Sequence, residues 1–151
     1  MKKLICLVVL IALTTTVQAS ELCGGSSEEK LICHSDEVKQ FLRTWVTAWG
    51  TGDIDTYLAL YTSARSPRDD LSRAEWESHR RARISPQQPV EINLKLESMG
   101  LEDSGLFDVV FLQSYRSATY QDQVRKRLFL LREKDELRIW KEEVLLSSNS
   151  Q

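Results

Sequence analysis

The sequence predicts an α+β fold in which three N-terminal helices pack in a strongly curved, mainly antiparallel sheet of about four strands. Two observations support this prediction. Apolar residues recur at helical spacing between residues 38 and 84, and beyond Pro89 they alternate with polar residues as in strands. Helices followed by a meander of strands indicate a sheet that folds around a helix on its concave face.

The first predicted helix begins after Ser35 or Asp36, because either residue can cap a helix N-terminus. Its apolar stripe is rich in aromatic side chains and consists of Val38, Phe41, Leu42, Trp45, Val46 and Trp49. Gly50 stands where a left-handed C-terminal residue is needed, so the helix is predicted to end there.

Two shorter helices are predicted to follow. Asp53 can cap a second helix, which carries Tyr57 on its apolar face. Ser72 and Glu75 form the sequence of a capping box, and the third helix should run to about Ile84. Its inward stripe holds cations next to a tryptophan and consists of Trp76, His79, Arg80, Arg83 and Ile84.

Four alternating segments after Pro89 predict the sheet. Val90, Ile92, Leu94 and Leu96 mark the first strand, and the segment 107–115 is apolar on both faces and therefore looks central. Residues 124–132 and 137–146 supply two more strands. Residues 119–122 and 134–135 are the turns between them.

The N-terminus has the composition of a signal peptide. Lys2 and Lys3 precede an apolar run, and Ala19 ends a site that signal peptidase reads, so residues 1–19 should be removed on export to the periplasm or beyond. The remaining chain has 18 basic and 22 acidic residues, a net charge of −4. This balance argues against a nucleic-acid partner, and no later apolar run is long enough for stable membrane insertion.

Two cysteines remain after export, and we expect Cys23 and Cys33 to form a disulfide because the compartment is oxidising. The domain boundaries follow: a disulfide-closed segment 20–35, a folded domain 36–146 and a tail 147–151. Lipid attachment at Cys23 and a metal site that includes His34 are weaker alternatives, so neither a metal nor a cofactor is predicted.

Most of the chain resembles a known family. The residues that carry the resemblance are Trp45, Ala48, Trp49, Asp53, Tyr57, Leu58, Tyr61, Ser72, Arg73, Trp76, Arg80, Arg83, Ile84, Phe111, Gln113, Tyr115, Ser117, Tyr120, Asp122, Lys126 and Leu128. This pattern is similar to the NTF2-like domains (SnoaL/ketosteroid-isomerase-like superfamily) of exported bacterial proteins, which occur alone or attached to L,D-transpeptidase-type and tetratricopeptide regions. The resemblance implies a cone-shaped barrel over residues 38 to 146. It does not select an activity.

The candidate ligand-binding residues are those expected to face the inside of the cone. They are Trp45, Tyr57, Trp76, Arg80, Arg83, Gln113 and Tyr115. The arginines suit a carboxylate or another planar anion. An alternative is structural: aromatic stripes at helical spacing are commonly core, and Arg80 could instead pair with Glu142 or Glu143 and stack on Trp76.

Two classes of function are the main candidates, ahead of a secreted inhibitor or assembly factor that acts only through its surface. The first is a binding or protein-interaction module of the cell envelope without catalytic activity, whose partner is a small anionic or envelope-derived ligand, a periplasmic protein, or a second copy joined through the sheet. The second is a small acid/base enzyme of the isomerase, dehydratase or cyclase type. Catalytic members of the superfamily place Asp or His inside the cone, whereas the inward residues here are mostly Trp, Tyr, Gln and Arg.

Overall fold

A computed structural model describes residues 25–147. Its elements, in chain order, are α1 Ser27–Thr51, α2 Ile54–Ala59, α3 Arg73–Arg83, β1 Glu91–Leu101, β2 Phe107–Arg116, β3 Gln121–Glu133 and β4 Glu136–Ser147. The predicted α+β order is therefore confirmed. The predicted signal peptide, Cys23 and residues 148–151 lie outside the described part. No helix among the described residues has the length and apolarity needed to cross a membrane.

Helix α1 begins at Ser27. This start is earlier than the one predicted from capping by Ser35 or Asp36. Ser26 is the N-cap, and its hydroxyl accepts from the Glu29 N–H while the Glu29 carboxylate accepts from the Ser26 N–H. This capping box satisfies two end groups of the helix and explains the earlier start. Cys33 consequently lies within α1, and its pairing with Cys23 stays a prediction.

The end of α1 is set by Gly52 and not by Gly50 as predicted. Gly52 adopts a left-handed conformation with φ +77°, and a Cβ there would lie 2.2 Å from the Ser85 carbonyl carbon. Glycine is required at this position for both reasons. Gly50 remains helical, and its carbonyl accepts a hydrogen bond from the Val90 N–H at 3.1 Å.

The two shorter helices begin at the predicted caps. The Asp53 side chain accepts from the Thr56 N–H at 3.1 Å, which caps α2. Ser72 and Glu75 form the predicted capping box of α3. Ile84 caps the C-terminus of α3, shortly before Pro86 would prevent its continuation.

The four strands form one antiparallel sheet in the order β1-β2-β3-β4, so the predicted central position of β2 is confirmed. A bulge interrupts β4, because Phe129 pairs with Lys141 whereas Leu130 pairs with Ile139. The unpaired residue is Trp140. An extra residue reverses the alternation of faces, so that Ile139 and Glu142 both point into the cone.

The outer edge of β4 is paired to the connection between α2 and α3. Ile139 receives a hydrogen bond from the Thr62 N–H at 3.0 Å and donates to the Leu60 carbonyl at 2.8 Å. The Glu142 N–H donates to the Pro67 carbonyl at 2.9 Å. This edge of the sheet is therefore closed by the chain itself.

The core lies between the concave face of the sheet and the helices. Its apolar end is formed by inward strand residues that are almost fully buried, namely Phe107, Val109, Leu128, Leu130, Leu137 and Ile139. The helices contribute large side chains with at most 1% exposure, which are Val38, Trp45, Tyr57 and Trp76. The same strands continue into a polar end, defined by Gln113, Tyr115, Lys126 and Glu142.

Candidate functional site

A chain of buried hydrogen bonds links the helices to β4 inside the cone. The Trp45 indole N–H donates to Tyr61 Oη at 3.0 Å, and Tyr61 Oη donates to Glu142 Oε2 at 3.1 Å. Tyr57 Oη lies 2.7 Å from Tyr61 Oη. Because the single Tyr61 proton goes to the carboxylate, Tyr57 must donate to Tyr61.

Glu142 is held mainly by Lys126, whose Nζ lies 2.5 Å from Oε1. Both side chains are buried, with 8% and 5% exposure. Lys126 belongs to the basic run of residues 125–127, whose side chains alternate between the two faces of β3. It points inward because it lies on the same face of β3 as the buried residues Leu128 and Leu130. The bulge at Trp140 places Glu142 of β4 on that same inner face of the sheet.

The charge state of this cluster is fixed by its surroundings. Burial alone would raise the pKa of Glu142, but the charges of Lys126 and Arg80 and hydrogen bonds from Lys126 and Tyr61 outweigh it and hold the pKa at about 2. Burial raises the pKa of Tyr57 and of Tyr61 well above the usual value. At neutral pH the carboxylate is ionised and both phenols are protonated.

Arg80 on α3 completes the cluster without being fully satisfied by it. Its Nη2 lies 3.7 Å from Glu142 Oε1, which is an ion pair but too long for a hydrogen bond. The guanidinium carbon lies 5.7 Å from the ring centroids of both Trp49 and Trp76. The structural alternative, an ion pair of Arg80 with Glu142 beside the Trp76 ring, is therefore present, whereas Glu143 pairs with Lys141 at 3.0 Å.

A cavity of about 380 Å³ opens beside this cluster at the polar end of the cone. The residues that line it are Trp49, Arg80, Arg83, Ile84, Gln113, Tyr115, Tyr120, Asp122, Val124, Lys126 and Val144. Across the described residues 25–147, the guanidinium groups of Arg80 and Arg83 make no hydrogen bond to the protein. Their N–H groups are thus available to a ligand.

Gln113 lines the same cavity and carries a buried acceptor that has no partner in the described chain. The residue is only 3% exposed, and its Oε1 has no hydrogen-bond partner within the described chain. A buried carbonyl without a donor costs free energy unless a water or a ligand supplies one. The indole Nε1 of Trp76 is also buried without a partner, but Trp76 does not line the cavity.

The mouth of the cavity has an apolar rim. Tyr120 and Val144 line the cavity and are 51% and 61% exposed. Large apolar side chains that are this exposed beside a polar cavity favour contact with an apolar part of a ligand.

The predicted site residues separate into two groups. Arg80, Arg83, Gln113 and Tyr115 line the cavity together. The others do not line the cavity and belong to the buried core. They are Trp45, Tyr57 and Trp76. The sequence analysis did not predict that the charge of Lys126 points inward. The position of Lys126 two residues before the apolar Leu128 on β3 would have indicated it, because residues at this spacing share a face.

The cations that line the cavity suit it to holding an anion. Glu142 stays ionised and is bound by cations, which makes it a poor acid and a weak base. Residues 25–147 contain no group of three His, Cys, Asp or Glu side chains that could hold a metal ion. Arg80 and Arg83 can offer hydrogen bonds and charge pairing to a ligand in the cavity.

Sequence comparison gives one family match. The model of the family described as the Cds6 C-terminal NTF2-like domain matches residues 37–143. No curated protein matches the chain significantly.

Solved structures share the fold. Bd1075 of Bdellovibrio bacteriovorus superposes with a TM-score of 0.67 at 21% identity, over 84% of this chain and 44% of that one. An NTF-2 like protein of unknown function from Shewanella oneidensis MR-1 gives 0.63 at 15% identity, over 73% and 97%. The helical cell shape determining protein Pgp2 of Campylobacter jejuni gives 0.55 at 22% identity, over 78% and 41%. The chain thus spans less than half of Bd1075 and Pgp2.

Proposed function

Because the chain belongs to the family of Cds6 C-terminal NTF2-like domains, we propose that it is a binding module that holds a small anionic ligand in its cone and catalyses no reaction of its own. The observation that carries this proposal is the pair Arg80 and Arg83, whose guanidinium groups face the cavity without a hydrogen bond to the described protein. Guanidinium groups pair best with planar anions such as carboxylates.

The acid/base enzyme is the less favoured alternative. Such an enzyme needs a group that exchanges a proton near neutral pH within reach of the substrate. Glu142 has a pKa of about 2, and burial keeps Tyr57 and Tyr61 protonated. The buried titratable groups of the cone therefore support binding over proton transfer.

The proposal includes a place at the cell envelope. Two considerations support it: the N-terminus has the composition of a signal peptide, and one protein of the same fold, Pgp2, determines helical cell shape. Fold similarity at this identity does not transfer an activity. Accordingly, the protein should be found in the periplasmic fraction, and recovery of the uncut chain in the cytoplasm would contradict this part of the proposal.

Thermal shift tests the binding proposal directly. A panel of small carboxylates should contain compounds that raise the melting temperature of the wild-type protein. Arg83→Gln should abolish this rise without lowering the ligand-free melting temperature, because Arg83 is exposed and makes no hydrogen bond in the described chain.

Arg81→Gln is the matched control on the same helix. Arg81 is also exposed, pairs with Asp55 at 2.9 Å and does not line the cavity. This variant should keep the ligand response. A panel with no active compound, or an undiminished response in Arg83→Gln, would reject the anion site. Size-exclusion chromatography of the same samples would reveal whether the protein is a dimer.

A further inference from the structure

The sheet has two outer edges, and the described chain covers only one of them. Leu60 and Thr62 pair with Ile139 of β4, which closes that edge. Among residues 25–147, the backbone of β1 over residues 91–101 is hydrogen-bonded to β2 and to no other segment. In an edge strand, alternate N–H and C=O groups point away from the sheet. β1 therefore presents a row of backbone groups with which an added strand can pair.

A groove of about 390 Å³ lies beside this free edge, between α1 and β1. Its apolar lining consists of Leu42, Val46, Ile92, Leu94, Leu96 and Phe111. Leu96 is 39% exposed although it alternates with the inward residues Ile92 and Leu94. Residues 92–94 are consecutive and all line the groove, which the side chains of one strand face alone cannot do. The groove therefore reaches the backbone edge of β1.

The surroundings of the groove are cationic. Lys39 and Arg43 of α1 line it, and no acidic residue does. Lys39 has an exposed partner in Asp36 at 3.3 Å, whereas the Arg43 guanidinium bonds within the described chain only to the neutral Gln40. Lys95 alternates to the other face of β1, is exposed and forms no ion pair with residues 25–147. A strand added here would meet positive charge on both of its faces, which favours acidic side chains.

A bulge limits the length of this edge. β1 pairs in regular register with β2 from Glu91 to Leu96, and the register shifts between Leu96 and Ser98. A bulge bends and twists a strand and disrupts its ladder. The regular part of the edge is therefore residues 91–96. A segment that pairs along it would point every second side chain toward the groove and the others toward the face that carries Lys95.

From these observations we propose that the edge of β1 docks an extended segment of another protein, which adds one strand to the sheet. Its apolar side chains alternate toward the groove, and its acidic side chains lie on the face of Lys95. A second copy of β1 is a poorer occupant, because its Ile92 is already buried in its own fold. The groove shares no lining residue with the cavity of the anion site, so the two proposals are independent.

The test uses a capped hexapeptide of alternating valine and glutamate, titrated into the purified protein and followed by NMR. Chemical shifts should change at residues 91–96 and on the groove side of α1. A peptide of the same composition with its three valines in one block should bind about tenfold more weakly, because it cannot direct them all into the groove. Replacing the glutamates by lysines should weaken binding about as much, since like charges then face each other.

Hydrogen exchange separates an added strand from contact by side chains alone. With the peptide about nine-tenths saturating, every second amide of residues 91–96 should exchange about tenfold more slowly, because it gains a partner. The intervening amides already bond to β2 and should not change. Binding without this alternating protection would overturn the proposed strand addition.

Variants of the protein locate the docked segment. Leu96→Glu should abolish binding, because it places a charge in the apolar groove, and its partial exposure lets the fold tolerate the change. Arg43→Glu and Lys95→Glu should each weaken binding roughly fivefold. Lys30→Glu is the control of equal charge, because Lys30 is exposed on α1 and does not line the groove. An equal effect of Lys30→Glu would mean that only the net charge of the protein matters and would overturn the assigned groove.

Two further results would also reject the proposal. One is no binding of the alternating peptide at millimolar concentration, or equal binding of the peptide with its valines in one block. The other is a protein that is dimeric without peptide and already protects every second amide of residues 91–96. In that case a second copy, and not another protein, would occupy the edge.

Discussion

The two ends of the cone interior differ in chemistry although the same strands build both. At the apolar end, Val109 and Leu130 are fully buried against the helices. At the polar end, Gln113 has a buried acceptor without a partner and Arg80 has an ion pair longer than a hydrogen bond. The apolar end supplies stability, and this allows the polar end to keep groups that a ligand can satisfy.

The largest effect should come from Trp45, which is fully buried and donates to Tyr61. Trp45→Ala should destabilise the protein by roughly 4–6 kcal/mol, since it leaves a large cavity and removes a buried donor. Trp49→Ala, at the cavity wall, should cost about 1–2 kcal/mol. Denaturant midpoints measure both. Similar values for the two would show that the polar end carries as much stability as the core.

Lys126→Met should be nearly as damaging, for an electrostatic reason. It leaves the buried Glu142 carboxylate with Arg80 at 3.7 Å and no close cation, at a cost of about 3–5 kcal/mol. The double variant Lys126→Met, Glu142→Leu should regain most of that loss.

Arg125→Met is the control for Lys126, because Arg125 pairs with Glu97 on the partly exposed outer face. It should cost at most about 1 kcal/mol. Equal destabilisation by the two single variants, measured in the same denaturant, would contradict the buried position of the Lys126–Glu142 pair.

The free energy of unfolding at acid pH should show the contribution of the buried Glu142 carboxylate. The pKa of Glu142 is about 2 in the folded protein and usually 4.5, so its contribution is complete above pH 4.5 and is lost as the pH falls toward 2. The loss should amount to about 3 kcal/mol. Other carboxylates with lowered pKa values, including Glu37 and Asp69, act in wild type and variant alike. The difference between the pH profiles of wild type and Glu142→Gln therefore isolates Glu142; parallel profiles would mean that Glu142 does not titrate as described.

The smallest predicted change in stability is a gain, unlike the losses above. Gln113→Leu removes a buried acceptor that has no partner, so the ligand-free protein should gain up to about 1 kcal/mol. Ser114→Leu on the outer face is the control and should give no such gain. A clear loss of stability in Gln113→Leu would indicate that an ordered water already satisfies the amide.

The order of elements was predictable because hydrophobic periodicity and caps are local signals. The Ser72 capping box and the switch to alternation after Pro89 fixed α3 and the sheet. The early start of α1 was missed because two later residues, Ser35 and Asp36, were also acceptable caps. The position of Gly52 depends on its contact with Ser85, which no local pattern contains.

The site was predictable only where periodicity decides direction. Helical spacing from Trp76 predicted that Arg80 points inward. Gln113 was predicted to point inward because it lies two residues from the apolar Phe111 on the same strand face. Trp45 and Tyr57 share a helical stripe with core residues, and spacing alone does not separate a core wall from a cavity lining. The inward position of Glu142 depends on a bulge at Trp140, and a one-residue slip in a strand leaves no clear trace in composition.

The bond between Tyr61 and Glu142 has a consequence for how the chain reaches this structure. Its two ends are 81 residues apart in sequence, and the edge pairing of Thr62 with Ile139 has a similar span. Contacts between residues this far apart in sequence form late in folding, because bringing them together costs the entropy of closing a long loop. The segment after α2 therefore cannot complete its packing before β4 is present, and until then the aromatic side chains of the cone stay exposed and can promote aggregation.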